Sequence, residues 1–136
     1  MSVLENRDIM KVHSGHIIFN RKTQYKDLVP VCKDLLTKFM HETHQTSEDP
    51  EFYNVVIDTN LIDLRNNRKP EGFNRMGSIR MIFPIKENDK EIEFYIYRSS
   101  SATDIVRITE TISKLLYKKG LKHEVCWDKT SMETKK

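Results

Sequence analysis

Three pairs of side chains that can ligate a metal ion lie three residues apart: His13 with His16, His41 with His44, and His123 with Cys126. Neutral imidazole and thiolate are both good zinc ligands. Residues three apart share a face on a helix but point to opposite faces of a strand. His41 and His44 fall in a predicted helix and are therefore the weak metal candidate. The alternative is that these are ordinary exposed histidines, and no cofactor is predicted.

Three consecutive serines, Ser99, Ser100 and Ser101, precede another predicted helix. A nucleophilic serine needs a neighbouring base and a third group that orients the base, whereas helix capping explains the cluster without either. Hydroxyl and N–H groups at a helix start can also hold a phosphate or carboxylate, so the cluster is a weak anion-binding candidate. The sequence contains no glycine-rich phosphate loop, zinc-protease helix or nucleophile elbow. No catalytic residue is predicted, and a small metal-dependent enzyme is the least favoured function.

Positive charge is concentrated in residues 65–80. With one anion, Glu71, and five cations the segment nets +4, whereas the whole chain has a formal net charge of +3. The cations are Arg65, Arg68, Lys69, Arg75 and Arg80. The dipeptides Asn-Asn, Lys-Pro and Glu-Gly predict a long exposed loop here. Loops of this length are uncommon unless they bind something or are disordered.

The predicted hairpin places Tyr95 and Tyr97 beside Arg80 on one open face. Because Arg and Tyr are favoured at protein interface hot spots, we expect a non-catalytic accessory, regulatory or inhibitory protein. It would contact a protein partner through residues 65–80 and this hairpin face. The alternative is single-stranded nucleic acid on the same surface, with cations along the phosphates and rings stacked on bases.

The hairpin is predicted from residues 78–86 and 91–99, joined by a turn at Asn88-Asp89. One face then carries apolar pairs and the other carries mixed pairs, so a one-residue slip would mix the two sets and the register is well specified. The apolar pairs are Met81–Ile96, Phe83–Phe94 and Ile85–Ile92, and the mixed pairs include Arg80–Tyr97 and Ile82–Tyr95. Pro84 is predicted opposite Glu93 at a non-hydrogen-bonded site, which makes the first strand an edge strand or a bulged one.

Apolar residues at three- and four-residue spacing predict a first helix from Asp27 to about His44. The alternative is an earlier start capped by Thr23, with a kink at Pro30. A second helix is predicted over residues 101–119 and ends at Gly120. Residues 47–65 are ambiguous, because Asp49-Pro50-Glu51 resembles a helix start while the β-branched run Val55-Val56-Ile57 favours a strand. We predict the strand.

With further strands at residues 11–20 and 121–128, the predicted order is β-α-β-β-β-α-β. The fold class is α+β, a mainly antiparallel sheet with two helices on one face. A ferredoxin-like topology with an extra strand is one option.

The chain has 136 residues, of which 38% are hydrophobic and 32% charged, as expected for one globular domain. We predict a single α+β domain over residues 1–128 and a disordered basic tail over residues 129–136. No apolar run approaches the roughly 18 residues of a membrane span, and no signal peptide is recognised. Cys32 and Cys126 do not form a disulfide framework. These features predict a cytoplasmic or nuclear protein without a membrane partner, and they leave the oligomeric state open.

Overall fold

The computed structural model describes residues 12–46, 48–75, 78–86, 91–98 and 103–128. Its elements are β1 (Ser14–Phe19), a 3-10 turn (Tyr25–Leu28), α1 (Val29–Glu42), α2 (Pro50–Arg65), β2 (Arg80–Ile82), β3 (Glu93–Tyr97), α3 (Thr103–Lys118) and β4 (His123–Trp127). The strands form one antiparallel sheet in the order β2-β3-β1-β4. The predicted α+β class is thus confirmed, and the order is compatible with a ferredoxin-like topology. The described residues contain no extra strand, and the predicted tail at residues 129–136 lies outside them.

The strand predicted within residues 47–65 is wrong, because this segment forms α2 and gives the fold a third helix. Asp49 caps the helix by accepting a hydrogen bond from the Glu51 N–H at 3.0 Å. Pro50 occupies the first turn, where its missing N–H costs little. Ile57, Asn60 and Leu64 recur at three- and four-residue spacing and are buried. The cap and this spacing outweigh the local strand preference of the β-branched run.

The predicted hairpin register is confirmed over three pairs, Arg80 with Tyr97, Met81 with Ile96 and Ile82 with Tyr95. The predicted apolar pair Ile85–Ile92 is wrong, because the strand ends at Ile82 and Ile85 is 87% exposed. The strand β2 lies at the edge of the sheet, also as predicted. Its ladder stops at Ile82, and the predicted Asn88-Asp89 turn lies outside the described residues.

Pro84 explains where this ladder ends. Met81 directs both its N–H and its carbonyl to Phe73, at 2.8 and 2.9 Å, and therefore away from β3. Backbone groups alternate along an antiparallel strand, so the nitrogen of Pro84 would point toward β3. The prediction of a non-hydrogen-bonded site for Pro84 is therefore wrong. Its nitrogen has no hydrogen to donate, and pairing ends before it.

The helix α3 packs on the sheet at Gly15 of β1. A Cβ atom at Gly15 would lie 2.1 Å from Thr109 Oγ1, so only glycine allows this close approach. The odd-numbered residues of β1, including the buried Ile17 and Phe19, therefore face the helices. Ser14, His16 and the other even-numbered residues lie on the opposite face.

The helix α1 packs beside α3 and buries the predicted apolar stripe. The buried residues of this stripe are Val31, Cys32, Leu35, Leu36, Phe39 and Met40. The predicted end near His44 is late, because α1 ends at Glu42 and His44 adopts a left-handed φ of 57°. The predicted second helix is confirmed as α3, and Gly120 follows it with a φ of 85°.

Candidate functional site

We call residues 65–80 the basic segment. It is predicted to be a long exposed loop, but its middle packs against the rest of the fold. Pro70, Gly72 and Phe73 are buried. The Gly72 N–H donates to Asn60 Oδ1 at 2.8 Å, and Asn60 Nδ2 donates to the Gly72 carbonyl at 3.0 Å. Phe73 pairs with Met81 next to β2. These contacts fix the backbone, while Arg65, Arg68, Lys69 and Arg75 remain exposed.

Two of these cations are bound at opposite ends of α2. Arg68 Nη2 lies 3.0 Å from Asp63 Oδ1, near the end of the helix. The guanidinium of Arg75 lies 5.0 Å from the ring centre of Phe52, in the first turn. At about 1.5 Å of rise per residue, Phe52 and Asp63 are about 16 Å apart along α2. Arg68 and Arg75 therefore lie near opposite ends of α2 and do not form one patch.

Arg75 also lines an open cleft of about 430 Å³ between the end of α1 and the start of α2. The other lining residues are Gln45, Thr46, Phe52 and Ser78.

The two tyrosines lie with Arg80 on the sheet face away from the helices. We call the side chains of Arg80, Ile82, Tyr95 and Tyr97 the tyrosine face. All four are half-buried. The rings of Tyr95 and Tyr97 meet edge to face, with centres 6.4 Å apart and planes at 85°. Of the five predicted cations, Arg80 is the one paired in register with a tyrosine, so the surface predicted from the sequence divides into two.

A buried polar relay supports the tyrosine face from β1. His16 Nε2 lies 2.9 Å from Ser14 Oγ, and His16 Nδ1 lies 3.1 Å from Glu93 Oε2. The second oxygen of Glu93 accepts a hydrogen bond from Lys86 Nζ. The ring of Tyr95 stacks on that of His16, with centres 4.8 Å apart and planes at 23°. These bonds fix the position of the His16 ring, on which Tyr95 stacks.

The hydrogen bonds of the relay favour the ionised form of Glu93. Burial raises the pKa of the Glu93 carboxyl, but hydrogen bonds from His16 and Lys86 outweigh this effect, so the pKa lies below its usual value of 4.5. Burial and the nearby Glu93 carboxylate raise the pKa of the Tyr95 phenol, which stays protonated at neutral pH.

Serine, histidine and glutamate in this order have the connectivity of a hydrolase triad. The geometry does not serve that chemistry. Ser14 is only 3% exposed, and its N–H donates to Asp128 Oδ1 at 3.0 Å. A substrate carbonyl would have to reach the hydroxyl and find free N–H donors beside it. The relay is therefore better explained as a satisfied buried network.

A second buried serine–histidine pair lies on the helix side of the sheet. His123 Nε2 is 2.6 Å from Ser113 Oγ, and His123 Nδ1 is 2.8 Å from the Leu121 carbonyl oxygen. Tyr117 stacks on the histidine with ring centres 3.9 Å apart. Burial lowers the pKa of His123, although the bond to the Leu121 carbonyl opposes this effect. The pair joins α3 to β4.

The predicted metal ligands do not assemble into a site within the described residues. His44 lies beyond the end of α1, so it does not share a helical turn with His41. Within the described ranges, no three His, Cys, Asp or Glu side chains cluster as metal ligands. Burial raises the pKa of the Cys32 thiol to about 11, which keeps it protonated. The predicted anion site at Ser99, Ser100 and Ser101 lies outside the described residues.

Sequence reasoning did not find the polar relay. The alternation of β1 was sufficient to place Ser14 and His16 on one face. Their contact with Glu93 depends on the pairing of His16 with Tyr95 and of Ile18 with Glu93, which joins segments distant in the sequence.

In the part of the chain that the structure describes, no helix has the length and hydrophobicity needed to cross a bilayer. No protein-family model matches the chain, and neither a curated protein nor a solved structure matches it.

Proposed function

We propose that this chain is a non-catalytic binding protein that contacts a protein partner through the tyrosine face. The observation that supports the proposal is the pair of half-exposed rings of Tyr95 and Tyr97, which lie on a central strand with Arg80 beside them. Tyrosine and arginine are enriched among the residues that dominate protein interfaces.

The polar relay makes this surface preorganised. Tyr95 rests on His16, whose two ring nitrogens are both held by buried partners. Tyr97 in turn contacts the edge of Tyr95. A surface that is already ordered loses little conformational entropy when it binds. The rings can therefore contribute most of their contact energy to affinity.

The charges around the rings favour a protein over nucleic acid. Glu93 and Glu124 both pair with Ile18, so they lie on the same side of the sheet as the tyrosines. Lys86 is bound to Glu93, which reduces the positive charge that a phosphate chain would meet. A peptide with aromatic or apolar side chains suits this surface better than a polyanion.

Single-stranded nucleic acid is the second candidate, and the position of the aromatic rings favours it. His16 and Tyr95 stack across the two central strands β1 and β3. Four-stranded sheets that bind RNA stack bases on aromatic side chains of the sheet.

A random peptide library displayed on phage tests the protein proposal without a known partner. We expect selected peptides to bind the wild-type chain and to lose at least about tenfold in affinity, or about 1.4 kcal/mol, for Tyr97→Ala. Lys114→Ala, at an exposed position of α3, is the matched control and should bind like wild type. Circular dichroism and thermal melting confirm that each variant is folded.

Failure to select any peptide whose binding depends on Tyr97 would overturn the protein proposal. A labelled oligothymidylate tests the second candidate by fluorescence anisotropy over a salt series. Binding that weakens steeply with salt and is lost in Tyr97→Ala would establish nucleic acid as the partner instead.

A further inference from the structure

The outer face of α2 carries a stripe that lies away from the tyrosine face and has no role in the proposed function. Among the described residues, Val55 and Ile62 are 56% and 54% exposed, which is unusual for large apolar side chains. They are seven residues apart, about two helical turns, and so lie on one side of α2. Glu51, Asp58 and Arg65 are exposed on the same side.

The stripe on one α2 helix is complementary to the same stripe on a second, antiparallel α2 helix. Its midpoint lies between Asp58 and Thr59, and Val55 and Ile62 are equally far from that point. An antiparallel copy would therefore place Val55 against Ile62 twice. The same operation brings Glu51 close to Arg65 of the second helix. An isologous interface requires this kind of self-complementary pattern.

The charge pattern extends beyond both ends of the helix. Glu48 precedes α2 and Lys69 follows it, both are exposed, and they are also equally far from the midpoint. Acidic residues at a helix start and basic residues at its end suit the helix dipole. The dipole accounts for the charged ends of α2 but not for the two exposed apolar residues between them. Pairing with a second copy accounts for both.

We propose that the chain forms an antiparallel dimer in which the outer faces of two α2 helices pack together. The 16-residue helix is about 24 Å long. Its outer face alone buries less than the roughly 1,200 Å² of a standard interface, so the dimer is weak and concentration-dependent. Two Asp58 side chains lie close to each other near the midpoint of the paired helices and weaken the dimer further. The tyrosine faces stay uncovered, which makes the assembly a bivalent binder.

Sedimentation velocity of the full chain over a concentration series tests the dimer. The wild-type chain should shift from monomer to dimer as its concentration rises. Ile62→Glu should raise the dissociation constant at least about tenfold, and because Ile62 is exposed the monomer should keep its fold. Asp58→Asn should tighten the dimer, whereas Lys114→Glu, outside the stripe, should leave it unchanged.

Charge reversal tests the antiparallel arrangement. Glu51→Lys and Arg65→Glu should each weaken the dimer, and the double variant should restore it. If these charges served only the helix dipole, the double variant would destabilise α2 more than either single variant and would not restore the dimer. A chain that stays monomeric up to about 1 mM, or a double variant that is not restored, overturns the proposal. Peptide binding at the tyrosine face should be the same in all these variants, so its loss would bear on the proposed function and not on the dimer.

Discussion

Asn60 and Gly72 form two reciprocal hydrogen bonds, with the backbone N–H of Gly72 donating to the asparagine side chain and its carbonyl accepting from it. Asn60 Nδ2 also donates to the Val56 carbonyl at 2.8 Å. Asn60 is 3% exposed. One side chain on α2 therefore satisfies both backbone groups of a buried glycine in the basic segment.

Replacing Asn60 by alanine should lower the free energy of unfolding by about 2–4 kcal/mol, because both backbone groups of Gly72 would be buried without partners. Urea denaturation measures this change. Asn66→Ala is the matched control, since Asn66 Nδ2 donates to a carbonyl in an exposed setting, and it should cost less than about 1 kcal/mol. Equal losses for the two variants would contradict the role of Asn60.

Thr109 and Ser113 lie on one face of α3 and differ in the hydrogen bonding of their hydroxyl groups. Thr109 Oγ1 is buried without a hydrogen-bond partner among the described residues, whereas Ser113 Oγ is bonded to His123. Thr109→Val removes the unpaired hydroxyl at nearly constant shape and should leave stability unchanged or raise it by up to about 1 kcal/mol. Ser113→Ala should lower stability by about 1–3 kcal/mol. Thermal melts of both variants test the contrast, and a loss for Thr109→Val would show that its hydroxyl is bonded.

His123 should make stability depend on pH near neutrality. Because its pKa lies below the usual 6.5, the unfolded chain takes up a proton more readily than the folded chain. The stabilisation is complete above pH 6.5 and is lost as the pH falls from there toward the pKa of the folded state. Chemical denaturation over this pH range should show that the free energy of unfolding depends less on pH in His123→Gln than in the wild type. His13→Gln, which removes an exposed histidine, is the matched control.

Glu93 should act in a more acidic range. Its pKa in the folded chain is below 4.5, so its contribution is complete above pH 4.5 and is lost as the pH falls through the folded-state pKa. Glu93→Gln should flatten the stability curve below pH 4.5. Glu124→Gln, at an exposed position on the same side of the sheet, is the control. Parallel curves for wild type and Glu93→Gln would exclude the relay as the cause.

The parts of the fold that were predicted correctly are those whose information is local. The register of β2 and β3 follows from which side chains alternate across a short connection, and α1 and α3 follow from apolar spacing. Residues 47–65 contained two conflicting local signals, a capped helix start and a β-branched run. The cap at Asp49 and the burial of Ile57 and Leu64 against other elements decide for the helix.

The candidate site was predictable only in part, for the same reason. The tyrosine face follows from the hairpin register, so Arg80, Tyr95 and Tyr97 were placed together correctly. The burial of Gly72 depends on Asn60, which lies in the segment predicted to be a strand. The dipeptides Asn-Asn, Lys-Pro and Glu-Gly predict an open loop for residues 65–80, and they carry no information about the contact of Gly72 with Asn60.

The pairing of Phe73 with Met81 also limits the addition of another strand to the β2 edge of the sheet. An exposed edge strand invites another chain to add its own strand there, which is a common start of aggregation. In this protein the outward N–H and carbonyl of Met81 are already bonded within the molecule, and Pro84 lies two residues beyond the end of β2. A strand from another chain therefore finds the backbone groups of Met81 already bonded. This disfavours polymerisation of the protein through the β2 edge.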